Sequence, residues 1–518
     1  MKYIIGQNRE QLQIFPVSLD ESISKDNEVR IIDLFVESID VKSFGFKVDY
    51  IENGRPAYHP TDLLKLYIYG YLNKIRSSRD LEKECYRNIE VMWLLKGLKP
   101  DHNTISNFRR DNPEPIRKVF KATVQTAKYF KLIGGKLLAG DSTKLRAQNS
   151  RKNNFNEKKI IQHIEYIDRK IEEYSEILAI GDEETDIKTK KIQKQQERKQ
   201  KYEQLAEELK ETGQDQISTS DTDSRQIIIR NGITEVAYNV QTTVDSENNL
   251  LIDYKVTNNN DSIAMSDMVS RAAEIVDNTE FTVLYDKGYH TGSEIKAVQE
   301  MGIETLVAIP DPGSTAPDEK YNSINFIYDQ ESNIYTCPQG QRLTTNGRWY
   351  NKSKKKNRDV IRIRHYSTKE CKNCPVKQHC TRSKGPRIIE RSEYAEYTEQ
   401  NRKNMEAKKE IYKRRQSIVE HPYGTIKRQW GFNYILTKQG MDRASSDVGL
   451  MFVAYNLRRL INILGFDIFK SYLKLLISII MTFSKAIRSI LRHFLSPAYI
   501  PKFVSGFFYN SPNCFIFD

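Results

Sequence analysis

Three carboxylates stand where chemistry could use them. Asp141 follows the apolar run of GGKLLAG and precedes Ser142 and Thr143. Asp286 follows the apolar run FTVLY, and Glu420 lies in a segment dense in Lys and Arg. A bare charge at the margin of a core is costly, so a carboxylate at the end of a buried strand needs a reason. A divalent metal is one: Mg²⁺ takes oxygen ligands and is often held by one or two carboxylates plus substrate phosphates. Two such ions, about 3.5–4 Å apart, activate the attacking oxygen and stabilise the leaving one in phosphoryl transfer. Singly, each acid reads as an ordinary turn or helix-surface residue. The three with their surroundings carry more weight.

Those surroundings are basic. Lys413, Arg414, Arg415, Lys427 and Arg428 flank Glu420. A carboxylate beside bases of this density suits a phosphate backbone held against the site, with a solvated helix face as the plain alternative. Lys427 falls two helical turns after Glu420, on nearly the same face. Tyr289 and Trp430 are read first as packing residues and second as platforms for an unpaired base. His290 and His421 are read as turn histidines without a role.

A second constellation is made of thiols. Cys371 and Cys374 are separated by two residues, Cys380 follows, and Cys337 lies upstream in TCPQG. Tetrahedral Zn²⁺ takes four such ligands, and a reducing compartment favours metal over disulfide. The four are read as a structural zinc site, with unpaired thiols in a loop-rich insertion as the alternative. Cys85 falls on a core-facing helical position, and Cys514 lies near the end of the sequence.

These residues need elements to place them. Leu63, Leu64, Tyr67, Ile68 and Tyr71 recur at helical spacing, and Ser77 or Ser78 caps a second helix with Leu81 and Cys85 facing in. A turn at 97–103 leads to a helix ending in Phe108, Arg109 and Arg110. Short helices, a tight turn and terminal arginines suit a helix-turn-helix-like module; a plain helical bundle fits equally. Residues 1–130 are thus expected to form a helical domain. GGKLLAGDST reads as a turn and a buried strand with Asp141 at its end. Residues 155–215 read as a charged helical insertion with a break near Gly181. EVAYNVQTTVD and NLLIDYKVTN form a hairpin. A helix at 263–276, the strand ending in Asp286, a helix capped by Ser293 and the strand GIETLVAIP follow. The economical fold is α/β, a mixed sheet flanked by helices over 134–465. Residues 310–395 read as an irregular, cysteine-bearing insertion. A helix beginning near Glu399 carries Glu420, another spans 445–464, and 466–518 form a tail.

Length and charge agree with a large protein that meets a polyanionic partner. The chain has 518 residues, and 81 Lys and Arg against 68 Asp and Glu leave a net charge of +13. The basic balance favours a polyanionic partner. With 38% hydrophobic residues the chain has material for a sizeable core, which excludes wholesale disorder. Six Cys in this length exclude a small disulfide scaffold. The opening residues lack a secretory pattern. The apolar stretch 463–483 carries Asp467, Lys470 and Lys474, so it reads as an amphipathic helix, with no membrane span. A cytoplasmic protein is expected.

DSTKLRA, LYDKGYHTGSE and YKRRQSIVEHPYGTIKRQWG together resemble the DDE transposases of bacterial insertion sequences. The similarity is greatest to the insertion-sequence family numbered eleven eighty-two, whose N-terminal domain PTDLLKLYIYGYLNKIRSSRDLE also resembles. It covers residues 56–460. It implies an RNase H-like core, a catalytic triad of Asp141, Asp286 and Glu420 holding two Mg²⁺ or Mn²⁺ ions, and cleavage and strand transfer at the element's terminal inverted repeats. It implies DNA partners (transposon ends and target), a homodimer bridging two ends, and nucleoid association when DNA-bound. Related transposases carry a Tyr, Arg, Glu, Lys signature around the final Glu. Lys427 keeps its spacing, whereas Arg415 is one residue early and Gln416 stands in the expected Arg position. The resemblance makes Lys427, Arg428, Arg415 and Arg414 expected DNA contacts, and residues 1–130 a DNA-binding domain with Arg109 and Arg110 as its contacts. Two other readings stay open: a transposase-derived DNA-binding protein without activity, and a metal-dependent nuclease.

Overall fold

A computed structural model of the chain describes residues 18–48, 56–179, 185–230, 232–311, 316–355 and 358–494. Six helices come first: α1 (Val29–Glu37), α2 (Pro60–Leu72), α3 (Ser78–Arg87), α4 (Ile89–Leu94), α5 (His102–Asp111) and α6 (Pro113–Tyr129). β1 (Leu137–Arg146), β2 (Asn154–Phe155), α7 (Glu157–Ala179), α8 (Thr185–Thr212) and β3 (Ile217–Ser218) follow. Next are β4 (Arg225–Arg230), β5 (Ile233–Asp245), β6 (Leu251–Thr257), α9 (Met265–Val276), β7 (Thr282–Tyr285), α10 (Gly292–Glu300) and β8 (Glu304–Val307). Short strands β9 (Ile327–Asp329), β10 (Ile334–Thr336), β11 (Arg342–Leu343), β12 (Tyr350–Lys355) and β13 (Arg358–Tyr366) precede α11 (Lys377–Cys380) and β14 (Ile389–Ser392). The chain continues through α12 (Ala395–Ala407), α13 (Lys409–Tyr423), α14 (Met441–Leu464) and α15 (Phe466–Phe494).

The chain divides into two compact units, one joining residues up to Phe108 with those from Leu457, the other running Arg109–Asn456. In the first, α2 starts at Pro60, where its missing N–H costs nothing, and the His59 ring accepts from Thr61 N–H. Nearly the whole of α2 is buried; Lys65 is tolerated inside because Asp33 and Glu37 lie 2.8 and 2.5 Å from its ammonium. Ser77 caps α3 by accepting from Asp80 N–H, and Leu81 and Cys85 face inward as expected. The segment from 466 on, expected as a tail, instead gives α15, which packs on α1 and buries Phe469 and Leu473. No helix among the described residues is long and apolar enough to cross a membrane. Residues 495–518, with Cys514, lie outside the described residues, as do 1–17 and the expected break near Gly181.

The second unit is built on a six-stranded mixed sheet ordered β4-β5-β1-β7-β8, with β6 also pairing β5. β1 runs antiparallel to β5 and parallel to β7, and β7 parallel to β8. The expected hairpin is β5–β6, and helices α9, α10, α12 and α13 pack against the strands. Three details differ from the sequence reading. β1 continues past Asp141 to Arg146, because β5 keeps pairing with it after β7 has stopped. Thr291, not Ser293, is the N-cap of α10. Residues 310–395 are not irregular: two three-stranded sheets, β11-β10-β9 and β12-β13-β14, enclose Phe326, Tyr335, Leu343, Tyr366 and Ile389. Strands β9 to β11 are two or three residues long, too short for alternation to declare itself, whereas the alternation Ile361-Arg362-Ile363-Arg364 in β13 was legible and was missed.

The helical insertion is a hairpin of α7 on α8. The two-residue pairing of β2 with β3 closes its base, over a small core of Phe155, Ile160, Leu209 and Ile217.

Candidate active site

The register of the parallel pair brings two acids together. Leu138 stands opposite Val283 and Ala139 opposite Leu284. Carried on by two residues, the same register sets Asp141 beside Asp286, where β7 ends. Asp286 caps the following turn, its Oδ1 accepting from Gly288 N–H at 2.8 Å. Gly140 lets the strands meet: a Cβ there would stand 2.0 Å from the Tyr285 ring. Asp141 is pushed up to about 6, first by burial and also by the charge of Asp286; Arg415, the Ser142 N–H and Lys144 pull the other way.

Helix α13 lies over this pair. The Tyr412 hydroxyl donates to Tyr285 O at 3.2 Å, Val419 is buried, and the Tyr423 hydroxyl meets Thr242 Oγ1 at 2.5 Å. These residues recur at helical spacing and form the face applied to the sheet. Arg415, on the same side, reaches Asp141 Oδ1 at 3.2 Å. Glu420 is exposed and accepts from Gln416 Nε2, one turn back, at 3.0 Å. The displaced spacing noted in the sequence thus has a physical outcome. The Arg is turned to Asp141, and the Gln that follows it holds Glu420. Among the described residues no group of three or more His, Cys, Asp and Glu is placed to hold a metal ion. The structure therefore joins Asp141 and Asp286 but not Glu420 to them.

Lys427 joins the site from beyond the helix. Its ammonium donates to Thr143 Oγ1 at 3.0 Å and Lys144 O at 3.4 Å, and burial, with Lys144 nearby, lowers its proton affinity. Lys427 lies within a π-helical turn at 424–429, so its offset from Glu420 is not that of a regular helix. On the other face of β1, Lys144 donates to Asp261 Oδ2 at 3.0 Å and Ser142 Oγ at 2.6 Å. Asn239 and Gln241 also donate to Asp261, at 2.7 and 2.8 Å. Burial opposes the ionisation of Asp261, but Lys144 and the two amides outweigh it and hold its carboxyl below the usual range. Asp261 was missed in the sequence; the run NNNDS after a strand reads as turn chemistry, and only the fold brings it near Gly288.

The remaining expected residues scatter. Arg109 is buried and paired with buried Asp447 at 3.4 Å, so it is a core ion pair and not a DNA contact. Arg110 is exposed and pairs with Asp111 at 2.6 Å. Arg414 and Arg428 are exposed. Tyr289 is buried, its hydroxyl donating to Gln241 Oε1 at 2.5 Å, and Trp430 lies 5.6 Å from the Phe432 ring. His421 Nδ1 meets the Tyr455 hydroxyl at 2.7 Å, and His290 sits in the turn after Asp286. Cys337, Cys371, Cys374 and Cys380 line one cavity of about 30 Å³, and burial raises the Cys380 thiol.

Two family matches fall on this architecture. Residues 17–111 match the family described as Transposase domain (DUF772), and residues 336–461 match the Transposase DDE domain. The chain carries two domains of DDE transposases. The second match spans Glu420 and the thiols, while Asp141 and Asp286 precede it. The matches identify a transposase of the insertion-sequence kind; the narrower numbered group rests on the motifs alone. No curated protein and no solved structure matches the transposase significantly.

Proposed function

We propose that this transposase binds the terminal inverted repeats of its element and cuts and joins DNA on an RNase H-like core. Asp141, Asp286 and Glu420 are the proposed carboxylates, and two Mg²⁺ or Mn²⁺ ions the proposed metals. The observation that carries this reading is the Asp141–Asp286 pair under a helix bearing Glu420. The donor set fits a hard cation: the groups are all carboxylate oxygens, and Asp141 is held partly protonated by burial and by its neighbour's charge. When bound, the metal supplies activation of the attacking oxygen and stabilisation of the leaving one.

The chain's own residues do the rest. Arg415 holds Asp141 towards its ionised form before a cation arrives. Glu420 must exchange its hydrogen bond from Gln416 to join the pair. Lys427, anchored on β1 beside Asp141, and exposed Arg414 and Arg428 bind backbone phosphates. A homodimer bridges the two ends. A structural Zn²⁺ is proposed for the cysteine-lined cavity, whose thiols must draw together to hold it, since as placed they form no metal-holding group.

The test is cleavage of labelled DNA carrying the element's end, in Mg²⁺ and in Mn²⁺. Wild type should cut at the end, and Asp286→Asn and Glu420→Gln should lose at least a hundredfold in rate while keeping their affinity, in line with roughly 3 kcal/mol for a lost transition-state contact. Tight binding without cleavage by wild type, in either metal, would favour the DNA-binding protein. Cutting without joining to a target would favour a nuclease. Wild-type activity in Glu420→Gln would remove Glu420 from the triad.

A further inference from the structure

Between Arg348 and Tyr366 the sequence carries eight Lys and Arg against one acid, Asp359. This stretch supplies β12 and β13, an antiparallel pair in which Asn351 stands opposite Arg362 and Ser353 opposite Val360. Alternation along β13 puts Val360, Arg362 and Arg364 on one face. Trp349 lies on that face, with the Arg364 guanidinium 4.2 Å and the Arg362 guanidinium 5.6 Å from its ring centre. The face is open: Trp349 is 39% and Val360 58% exposed, and the Arg362 side chain 56%. The other face is about as exposed, Tyr350 37% and the Lys352 side chain 49%. There Lys352 pairs with Glu390, and Tyr350 stacks on His365 with ring centres 4.7 Å apart.

The Trp349 indole, partly exposed, stands between two guanidinium groups, of which Arg362 also donates from Nε and Nη2 to Glu393 Oε2 at 3.1 and 2.8 Å. Cation–π contact with the Trp ring, and for Arg362 the Glu393 carboxylate, hold the arginines in place, and the guanidinium donors not given to Glu393 are left to meet phosphate. A two-stranded ribbon also has dimensions that a DNA major groove admits. We propose that this face of the β12–β13 hairpin, Trp349 with Arg362 and Arg364, is a duplex-DNA contact separate from the carboxylate site. The inference rests on DNA being the substrate and adds a surface to it.

The probe is fluorescein-labelled duplex DNA of arbitrary sequence, with binding by the full chain followed by anisotropy across a range of salt. Arg362→Gln combined with Arg364→Gln should weaken binding roughly tenfold at physiological salt and lower the salt slope by about 2, since each lost phosphate contact removes about 0.9. Val360→Glu sets an anion on the same open face without touching the core, and should weaken binding similarly even if the arginine variant folds poorly. Lys352→Gln, on the opposite face, should bind as wild type. Wild-type affinity and slope in the arginine and Val360 variants overturn the proposal, as does an equal loss in Lys352→Gln. A wild type that cuts its end while every variant binds alike removes this contact and leaves the catalytic reading intact. A wild type that binds no DNA removes both.

Discussion

Asp141 has two neighbours of opposite charge, Arg415 and Asp286, and a desolvated position that favours its neutral form. Its folded-state value of about 6 stands above the ordinary 3.8, so the folded chain holds this proton more tightly than the unfolded one. Stability contributed by the proton is therefore present at low pH and lost as pH rises through 6. Asp141→Asn removes that dependence. Without divalent metal, the stability of wild type relative to Asp141→Asn should fall between about pH 4 and pH 7 by as much as roughly 3 kcal/mol. Thermal melts across that range check it. Adding Mg²⁺ at neutral pH should raise the wild-type melt more than the mutant's, because only the wild type keeps the full carboxylate pair. A second residue-scale expectation concerns Gly140. Its missing side chain leaves the space that the Tyr285 ring fills. Gly140→Ala should cost roughly 1–3 kcal/mol by overpacking, read as a lower melting temperature, and should slow cleavage by moving Asp141.

At the scale of elements, α13 decides which charges meet the sheet. Arg415 lowers the proton affinity of Asp141 from that helix. Arg415→Gln should therefore move the acid limb of the cleavage pH profile upward, and an unmoved limb would separate Arg415 from Asp141 in function. The strands carrying Asp141 and Asp286 were legible in the sequence because each opens with a short apolar run that leads into one acid, although β1 runs on past Asp141 to Arg146. What α13 does with its side chains was not. Sequence spacing marks Arg415 as one residue out of place, yet rotation about the helix axis is what turns it to Asp141 and leaves Gln416 to bond Glu420. Arg109 failed for a related reason: at a helix end it looks solvated, and its partner Asp447 lies far along the chain. The cysteine segment concealed β9 to β11 in stretches of two or three residues, although its thiols announced a shared place. If they hold zinc, the purified chain should carry about one Zn²⁺, lost in Cys374→Ser together with several degrees of thermal stability. Metal analysis by mass spectrometry checks the stoichiometry.

For the whole molecule, the first compact unit is assembled from both ends of the described chain. The periodicity of 463–483 made a helix legible there, but not its place, since a helix-on-helix contact between distant segments leaves no local mark. α15 covers α1 and buries Phe469 and Leu473, and Arg458 ties to Glu28 at 2.5 Å. A chain truncated after Asn456 should thus expose the apolar face of α1, which holds Ile31, Ile32, Phe35 and Val36. Limited proteolysis should cut such a truncated chain within its first helices while the sheet unit persists. Cutting at equal rates in both units would show that the C-terminal helix adds nothing to the N-terminal ones.

The pairing of β2 with β3 has a consequence for how this chain can be altered. Phe155 and Ile217 are cross-strand neighbours, so the chain leaves for the helical hairpin and returns at almost the same point in space, about 5 Å apart. A detour with coincident entrance and exit is a handle. It can be shortened, lengthened or exchanged for a foreign module, and the sheet that holds Asp141 keeps its connectivity. A fluorescent domain spliced in place of residues 157–212 would report on the transposase without sitting at either end, and a lineage could gain or shed the hairpin in a single step.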